Sequence, residues 1–283
     1  MWSIRNVVAV ALLFVLGHVS GQEDSLSLRL VKQPVYKVNP WLSGSIGLIG
    51  AYTNIRGIPK VKDKPKLSLE ELGRITSQGV GWLNRAGLRQ DPQRREQAHR
   101  ISDALMYGTA SLPFLLVLDK TVKPAFWDIS LMYIETVSIT SNLYTYSPLG
   151  PTFIDRYRPL AFYEDINLAE RRSGNQRNSF YSGHVATTAM GAFFMAKVLH
   201  DYHPEWGNKR MWLFAGAAVP TAVVGVLRLR ALKHFPTDLV AGGLIGAGMG
   251  VLIPELHRRW QNRVRLRASL LNDQKAVGLH IRF

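Results

Sequence analysis

The chain contains no cysteine. A disulfide framework and a thiolate metal site are therefore excluded, and the absence is compatible with an oxidising compartment without requiring one. No H-E-x-x-H pair and no carboxylate cluster at ligand spacing occurs, so the familiar metallohydrolase signatures are missing. There is no internal repeat. Acidic residues are few: 20 Asp and Glu stand against 35 Lys and Arg, a formal charge of +15. Such an excess suits nucleic acid, anionic lipid or the anchoring of membrane segments. No zinc-finger pattern or basic–aromatic repeat accompanies it, which removes the usual signs of nucleic-acid binding. A mean hydropathy of −0.01 does not separate a soluble bundle from a membrane one. The 283 residues suffice for one substantial domain and a smaller extension.

What is present begins with a signal-like segment over 1–21. Arg5 supplies a positive start, 7–16 an apolar core, and Val19-Ser20-Gly21 small residues for cleavage. An uncleaved signal anchor is the alternative. Residues 22–102 read as an extension with amphipathic helices. Within it 41–52 is a Gly-rich apolar run, short of the roughly 20 residues a span needs. Residues 56–67 read as a loop, and Ser68-x-x-Glu71 as a capping box. Helical character continues to about residue 99, with breaks at Gly87 and Pro92. A helical domain follows over 103–255, with helices expected at 103–119, 125–146, 184–200, 211–228 and 237–255. A long loop, 147–181, separates the second from the third. Gly242, Gly243, Gly246, Gly248 and Gly250 allow close helix packing in the last of these. Residues 256–283 form a basic tail that ends in an alternating, strand-like piece over 276–283.

Chemistry concentrates in three places. Arg228, His234 and Asp238 stand at R-x5-H-x3-D, with Pro236 suited to a helix's first turn. An imidazole held through one nitrogen by a carboxylate offers the other in a fixed tautomer, as a nucleophilic histidine requires. A nearby guanidinium supplies a planar, permanently charged fork for an oxyanion. Taken alone, the stretch is equally a helix start with an acid near the positive dipole end. Ser182-Gly183-His184 precedes an apolar run over 185–199. Ser182 is an N-cap candidate, and Gly183 lets the backbone approach a ligand closely. The plain alternative is an ordinary serine cap with a boundary histidine. Arg158-Pro159 adds another guanidinium.

In this order, with 22 residues between Pro159 and Ser182 and 43 between His184 and Arg228, the blocks resemble the signature of the type 2 phosphatidic acid phosphatase / vanadium haloperoxidase superfamily. The resemblance covers about residues 103–255. It implies an all-α bundle of five to six core helices, here membrane-embedded, and a phosphatase that needs no metal or cofactor. It also implies roles. His234 is the nucleophile oriented by Asp238, His184 the general acid, and Arg158, Ser182, Gly183 and Arg228 the phosphate-binding set. Three positions depart from the pattern. Pro151 stands where the family has a lysine seven residues before the arginine, Tyr181 replaces a proline, and Leu227 replaces a serine. Arg156, Arg171, Arg172 and Lys233 are the candidates to supply the missing cation.

The expected substrate is a phosphorylated lipid or a small phosphoester. A soluble periplasmic acid phosphatase, a haloperoxidase and a non-catalytic membrane scaffold that keeps a phosphate pocket are the alternatives. No nucleic acid is expected as a partner, and the sequence does not give the oligomeric state. If 1–21 leads outward and 41–52 does not cross, the five apolar helices alternate. The site then faces the periplasm, with Lys120, Lys123, Lys209, Arg210 and the tail arginines inside. A crossing at 41–52 would turn the site inward, and the basic stretch 56–100 favours that version.

Overall fold

A computed structural model describes residues 35–272, with side chains up to residue 261. The signal-like segment 1–21 and the strand-like piece 276–283 lie outside the described residues. Asn39 opens α1 (Pro40–Lys62) by accepting the Trp41 and Leu42 amides on its side chain. Pro40 fills a first-turn position where a missing N–H costs nothing. Next come α2 (Leu69–Arg74), α3 (Arg95–Ser111), α4 (Phe126–Tyr146), α5 (Leu168–Arg171), α6 (Gly183–Tyr202), α7 (Trp212–Arg230) and α8 (Pro236–Asn272). No β-strand occurs among the described residues, and the six long helices α1, α3, α4, α6, α7 and α8 form the expected all-α bundle.

Several boundaries differ from the sequence reading, each for a physical reason. The capping box at Ser68 and Glu71 is present with both reciprocal bonds. The run at 41–52, however, is part of a 23-residue helix, about 34 Å long at ~1.5 Å per residue. Pro59 does not stop it; Lys60 and Lys62 complement the dipole in its last turn. Only the remainder of 56–67 is loop. α3 begins at Arg95, eight residues before the apolar pattern does, because its first turns face the site rather than the core. Pro113 has no N–H for the ladder, and the chain continues beyond Ser111 as a 3-10 turn, Leu112–Leu118.

α1 lies along α4 in the same direction. A Cβ on Gly47 would meet Ile134, one on Gly50 Ser138, and one on Gly57 Thr145. Backbone contact is reinforced by Ser138 Oγ donating to Gly47 O at 3.2 Å and Asn142 Nδ2 to Gly50 O at 3.1 Å. Thr136, Thr140, Ser141 and Thr145 donate back to carbonyls of their own helix, so these hydroxyls carry no unpaired group into an apolar setting. α6 is the central helix, packed against α3, α4, α7 and α8. Its seam with α8 is made of glycine. A Cβ at Gly242, Gly246 or Gly250 would lie 2.4, 2.0 or 2.6 Å from the carbonyl oxygens of Ser182, Ala186 and Met190. Both sets repeat every fourth residue, so each helix presents one stripe to the other. Of the five glycines noted in the sequence, these three make that approach; Gly243 is in ordinary contact, and Gly248 faces open space.

Among the described residues, three segments are long and apolar enough to cross a membrane: Pro92–Leu118, Pro204–Arg230 and Pro236–Gln261. At most 28% of each apolar window is buried inside the protein, so their apolar faces point outward. The helices at 126–146 and 183–202 exist as expected but are not among the three. α4 spends its polar residues on α1, and α6 is enclosed by its neighbours. At the end of α6 remote from residue 183, Lys197 bridges Asp201 at 2.5 Å and Glu255 at 2.9 Å. Tyr36 donates to Asp201 at 3.0 Å, and His257 Nδ1 to Lys37 O at 2.8 Å. The chain before α1 therefore sits at that remote end, and α1 climbs the full height of the bundle.

Candidate active site

At the opposite end the starts of α3, α6 and α8 meet the end of α7 and the 147–182 loop. The turn from α7 to α8 is held tightly. Leu232, at φ +57°, adopts the left-handed conformation and is fully buried against Leu160 and Ile166. Its carbonyl accepts Leu160 N at 3.2 Å, and Lys233 N donates to Arg228 O at 3.2 Å. A branched residue with positive φ is costly and persists only where its surroundings fix it.

This turn buries His234 at 2% exposure. Its Nδ1 lies 2.6 Å from the Ser179 carbonyl oxygen. A carbonyl only accepts, so Nδ1 carries the proton and Nε2 presents a bare lone pair. Burial, followed by Arg158 and Arg228, pushes the imidazole pKa well below its ordinary value.

Asp238 is fully buried but does not bond the His234 ring directly, contrary to the expectation from the spacing. It accepts Ser179 Oγ at 2.6 Å and Phe235 N at 2.9 Å on Oδ2, and Arg156 on Oδ1. The carboxylate folds back over the start of α8 and meets the loop, so the imidazole's orienting group is the Ser179 carbonyl. Asp238 acts one residue removed, by fixing Ser179.

The two guanidiniums are buried with donors to spare. Arg158 is extended before its proline, donates Nε to Asn178 O at 3.2 Å, and has no partner for its terminal nitrogens among the described residues. Arg228 is 3% exposed, and its Nε is buried without a partner among them. Orphaned charged donors in a closed space are costly unless an acceptor fills it. Ser182 caps α6 through Val185 N at 3.5 Å. The Gly183 and His184 amides find no acceptor among the described residues at this helix start, where the dipole favours anions. A side chain at Gly183 would stand 3.1 Å from the Tyr144 ring, so this wall admits only glycine without a shift. Arg158, Ser182, Gly183, His184, Arg228 and His234 thus come together, with Asp238 in the layer behind.

Four further residues at the site lie outside the sequence motifs. His99, Ser102 and Asp103 stand at i, i+3 and i+4 and share one face of α3. Arg228 Nη1 donates to His99 Nδ1 at 2.9 Å, Ser102 Oγ at 3.3 Å and Asp103 Oδ1 at 3.4 Å. His184 Nε2 lies 2.8 Å from Asp103 Oδ1. The signal for this trio is its polar character at helical spacing, opening an apolar helix. The fourth, Ser179, offers no signal, because it acts through its carbonyl.

Among the stand-ins for the missing lysine, three are engaged elsewhere. Arg156 bonds Asp238 and Thr237, Arg171 Nε donates to Ala161 O at 3.2 Å, and Arg172 Nε to Leu67 O at 2.9 Å. Lys233 makes no hydrogen bond through its ammonium among the described residues. Burial, then Arg158 and Arg228, lower its pKa to about 8. A cavity of about 210 Å³ lined by Asn84, Arg156, Phe162 and Phe235 lies beside the site. Its arginine is already paired, and it is not where the histidines converge.

The fold and this pocket define an all-helical protein with apolar segments long enough to cross a membrane and a pocket lined by arginine and histidine. Residues 129–262 match the model of the PAP2 superfamily. Over 86 residues it is 31% identical to a lipid A 1-phosphatase of Porphyromonas gingivalis, a stretch that makes up 30% of this chain and 17% of that protein. The chain therefore spans about a sixth of the relative's length. No solved structure matches it.

Proposed function

We propose that the chain is a metal-independent phosphatase acting on phosphomonoesters or diphosphates of lipids through a phosphohistidine. The observation that carries this reading is His234, with Nε2 bare and Nδ1 pinned, beside two buried arginines that each keep some donors without partners among the described residues, Arg228 Nε among them. Nε2 attacks phosphorus, and the N–P bond forms as the bond to the leaving oxygen breaks. His184 gives that oxygen its proton. Arg158, Arg228, the Ser182 hydroxyl and the Gly183 amide hold the non-bridging oxygens and offset the charge that develops on them. Lys233 serves as the third cation. Water then cleaves the N–P bond and gives up its proton to His184, which restores both histidines.

Lipid phosphate is favoured as substrate because the site opens at the end of three outward-facing apolar helices. The name of the bacterial relative points the same way. Neither feature suits the soluble acid phosphatase alternative. The test is phosphate release by detergent-solubilised full-length chain, with EDTA present. The panel comprises phosphatidic acid, a polyprenyl diphosphate, lipid A and p-nitrophenyl phosphate. Preference for a lipid supports the reading, and no release from any probe leaves the scaffold alternative standing. Activity abolished by EDTA contradicts metal independence.

For orientation, a bacterial inner membrane with the site at the periplasmic face is the first reading. It places Lys120, Lys123, Lys209 and Arg210 inside. α1 favours a second. Because it climbs from the remote end to the site, a chain exported before residue 35 would bring the site to the cytoplasmic face. The cations of 56–100 would go with it.

A further inference from the structure

An acidic residue stands in a pocket built for a dianion. Asp103 Oδ1 lies 2.8 Å from His184 Nε2, 3.3 Å from His99 Nδ1 and 3.4 Å from Arg228 Nη1. Its side chain is 38% exposed, and it sits on α3, outside the residues that match the family. Around His184 the other facing groups are cationic or protonatable: Arg228 from α7, His99 from α3 and His234 from the turn before α8. Tyr144 of α4 closes the wall at Gly183. A histidine surrounded in this way loses its proton: burial and then Arg228 lower the His184 pKa to about 3 even with Asp103 beside it, so a second anion, the bound phosphate, has to join the carboxylate before the ring is charged. A general acid must carry one when the leaving oxygen departs.

The geometry points to Asp103 as the positioning residue of the general acid: it pairs with His184 Nε2–H and, together with the dianion of a bound phosphate, holds the ring as an imidazolium that leaves Nδ1–H for the leaving oxygen. The inference rests on the phosphatase reading and adds to it the source of the acid. Nδ1 has no partner among the described residues. During phosphoryl transfer the proton passes from Nδ1 to the leaving oxygen as the P–O bond breaks, and Nε2–H stays on Asp103. In the second step bare Nδ1 takes a proton from the attacking water, so the ring ends as it began. His99 accepts from Arg228 Nη1 on the α3 side, and that arginine's Nε is buried without a partner among the described residues.

The test compares two leaving groups. An alkoxide needs a proton to depart, whereas p-nitrophenolate does not. For Asp103→Asn, kcat on a short-chain phosphatidic acid should fall about a hundred-fold, while kcat on p-nitrophenyl phosphate falls at least about ten-fold less. The pH at which activity on phosphatidic acid declines should also move down, because the imidazolium loses its counter-charge. Asp103→Glu, which keeps the charge on a longer arm, should recover part of the loss. If the Asn protein does not fold, the Glu protein carries the same comparison, with a smaller loss confined to the alkyl substrate. Equal losses on both substrates, no loss on either, or an unmoved pH limb overturns the assignment while leaving the phosphatase reading intact. A wild-type protein that hydrolyses neither probe overturns both.

Discussion

Replacing Lys233 by Met removes an ammonium while keeping the length of its apolar stem. The structure makes this the informative change, because Arg156, Arg171 and Arg172 are each bonded elsewhere and the Lys233 ammonium is not. A charge-assisted hydrogen bond in a closed site contributes about 1.5–3 kcal/mol. At roughly 1.4 kcal/mol per factor of ten, vanadate and phosphate should inhibit Lys233→Met about ten- to a hundred-fold more weakly. Lys233 has its pKa lowered to about 8 by burial and the two arginines. The free enzyme therefore holds the third charge below that pH and loses it above. Wild-type inhibition constants should rise as pH increases through 8, and those of the variant should lack that limb. Alanine at 171 or 172 should leave inhibition nearly unchanged. The assay is vanadate inhibition of p-nitrophenyl phosphate hydrolysis between about pH 6 and pH 9.5, a range that brackets the lysine's titration. Unaltered inhibition and an unaltered pH limb in Lys233→Met would refute the reasoning.

Other changes probe the scaffold. Asp238→Asn should lower both stability, by about 3 kcal/mol because Arg156 loses a buried charge partner, and kcat, because Ser179 is released. Ser179→Ala removes the same Ser179–Asp238 hydrogen bond while leaving the Arg156–Asp238 pair, so it should cost only about 1 kcal/mol of stability yet lower kcat as Asp238→Asn does; paired thermal melts and rates check both. Gly246→Ala forces a Cβ to within 2.0 Å of Ala186 O and should destabilise by about 1–3 kcal/mol. Gly248→Ala meets nothing within 4 Å and should be neutral or stabilising by up to about 1 kcal/mol. A chain without cysteine makes orientation directly measurable. Trp82, at the site end, and Lys209, at the remote end, are both exposed. A periplasmic site predicts that a membrane-impermeant maleimide labels Trp82→Cys and spares Lys209→Cys in intact cells. The inverted orientation predicts the reverse.

Periodicity carries the bundle: the helices at 126–146 and 183–202 fall within a few residues of where apolar spacing puts them. It fails at α1, because Gly47, Gly50 and Gly57 bury the helix through backbone contact, which hydropathy does not register. That miss matters, since the topology expected from the sequence depends on 41–52 not crossing. The structure brings Arg158, Ser182, His184, Arg228 and His234 to one end of the bundle, each at a helix end or turn that the motif spacing itself specifies. The motif misassigns the contact between Asp238 and His234, since a spacing of four gives proximity and not the direction of a carboxylate. The polar face of α3 is legible in principle. Hydropathy obscures it, because Asp103 marks the edge of the apolar run and is at the same time the inner edge of the site.

Phosphorus on His234 Nε2 is the central claim, and one measurement addresses it most directly. Full-length protein is mixed with ³²P-labelled substrate, quenched within milliseconds into alkaline detergent, and digested for mass spectrometry. The expected result is a base-stable, acid-labile label on the peptide carrying residue 234, absent from His234→Ala. Rapid turnover with no labelled protein, or undiminished turnover by His234→Ala, contradicts the claim.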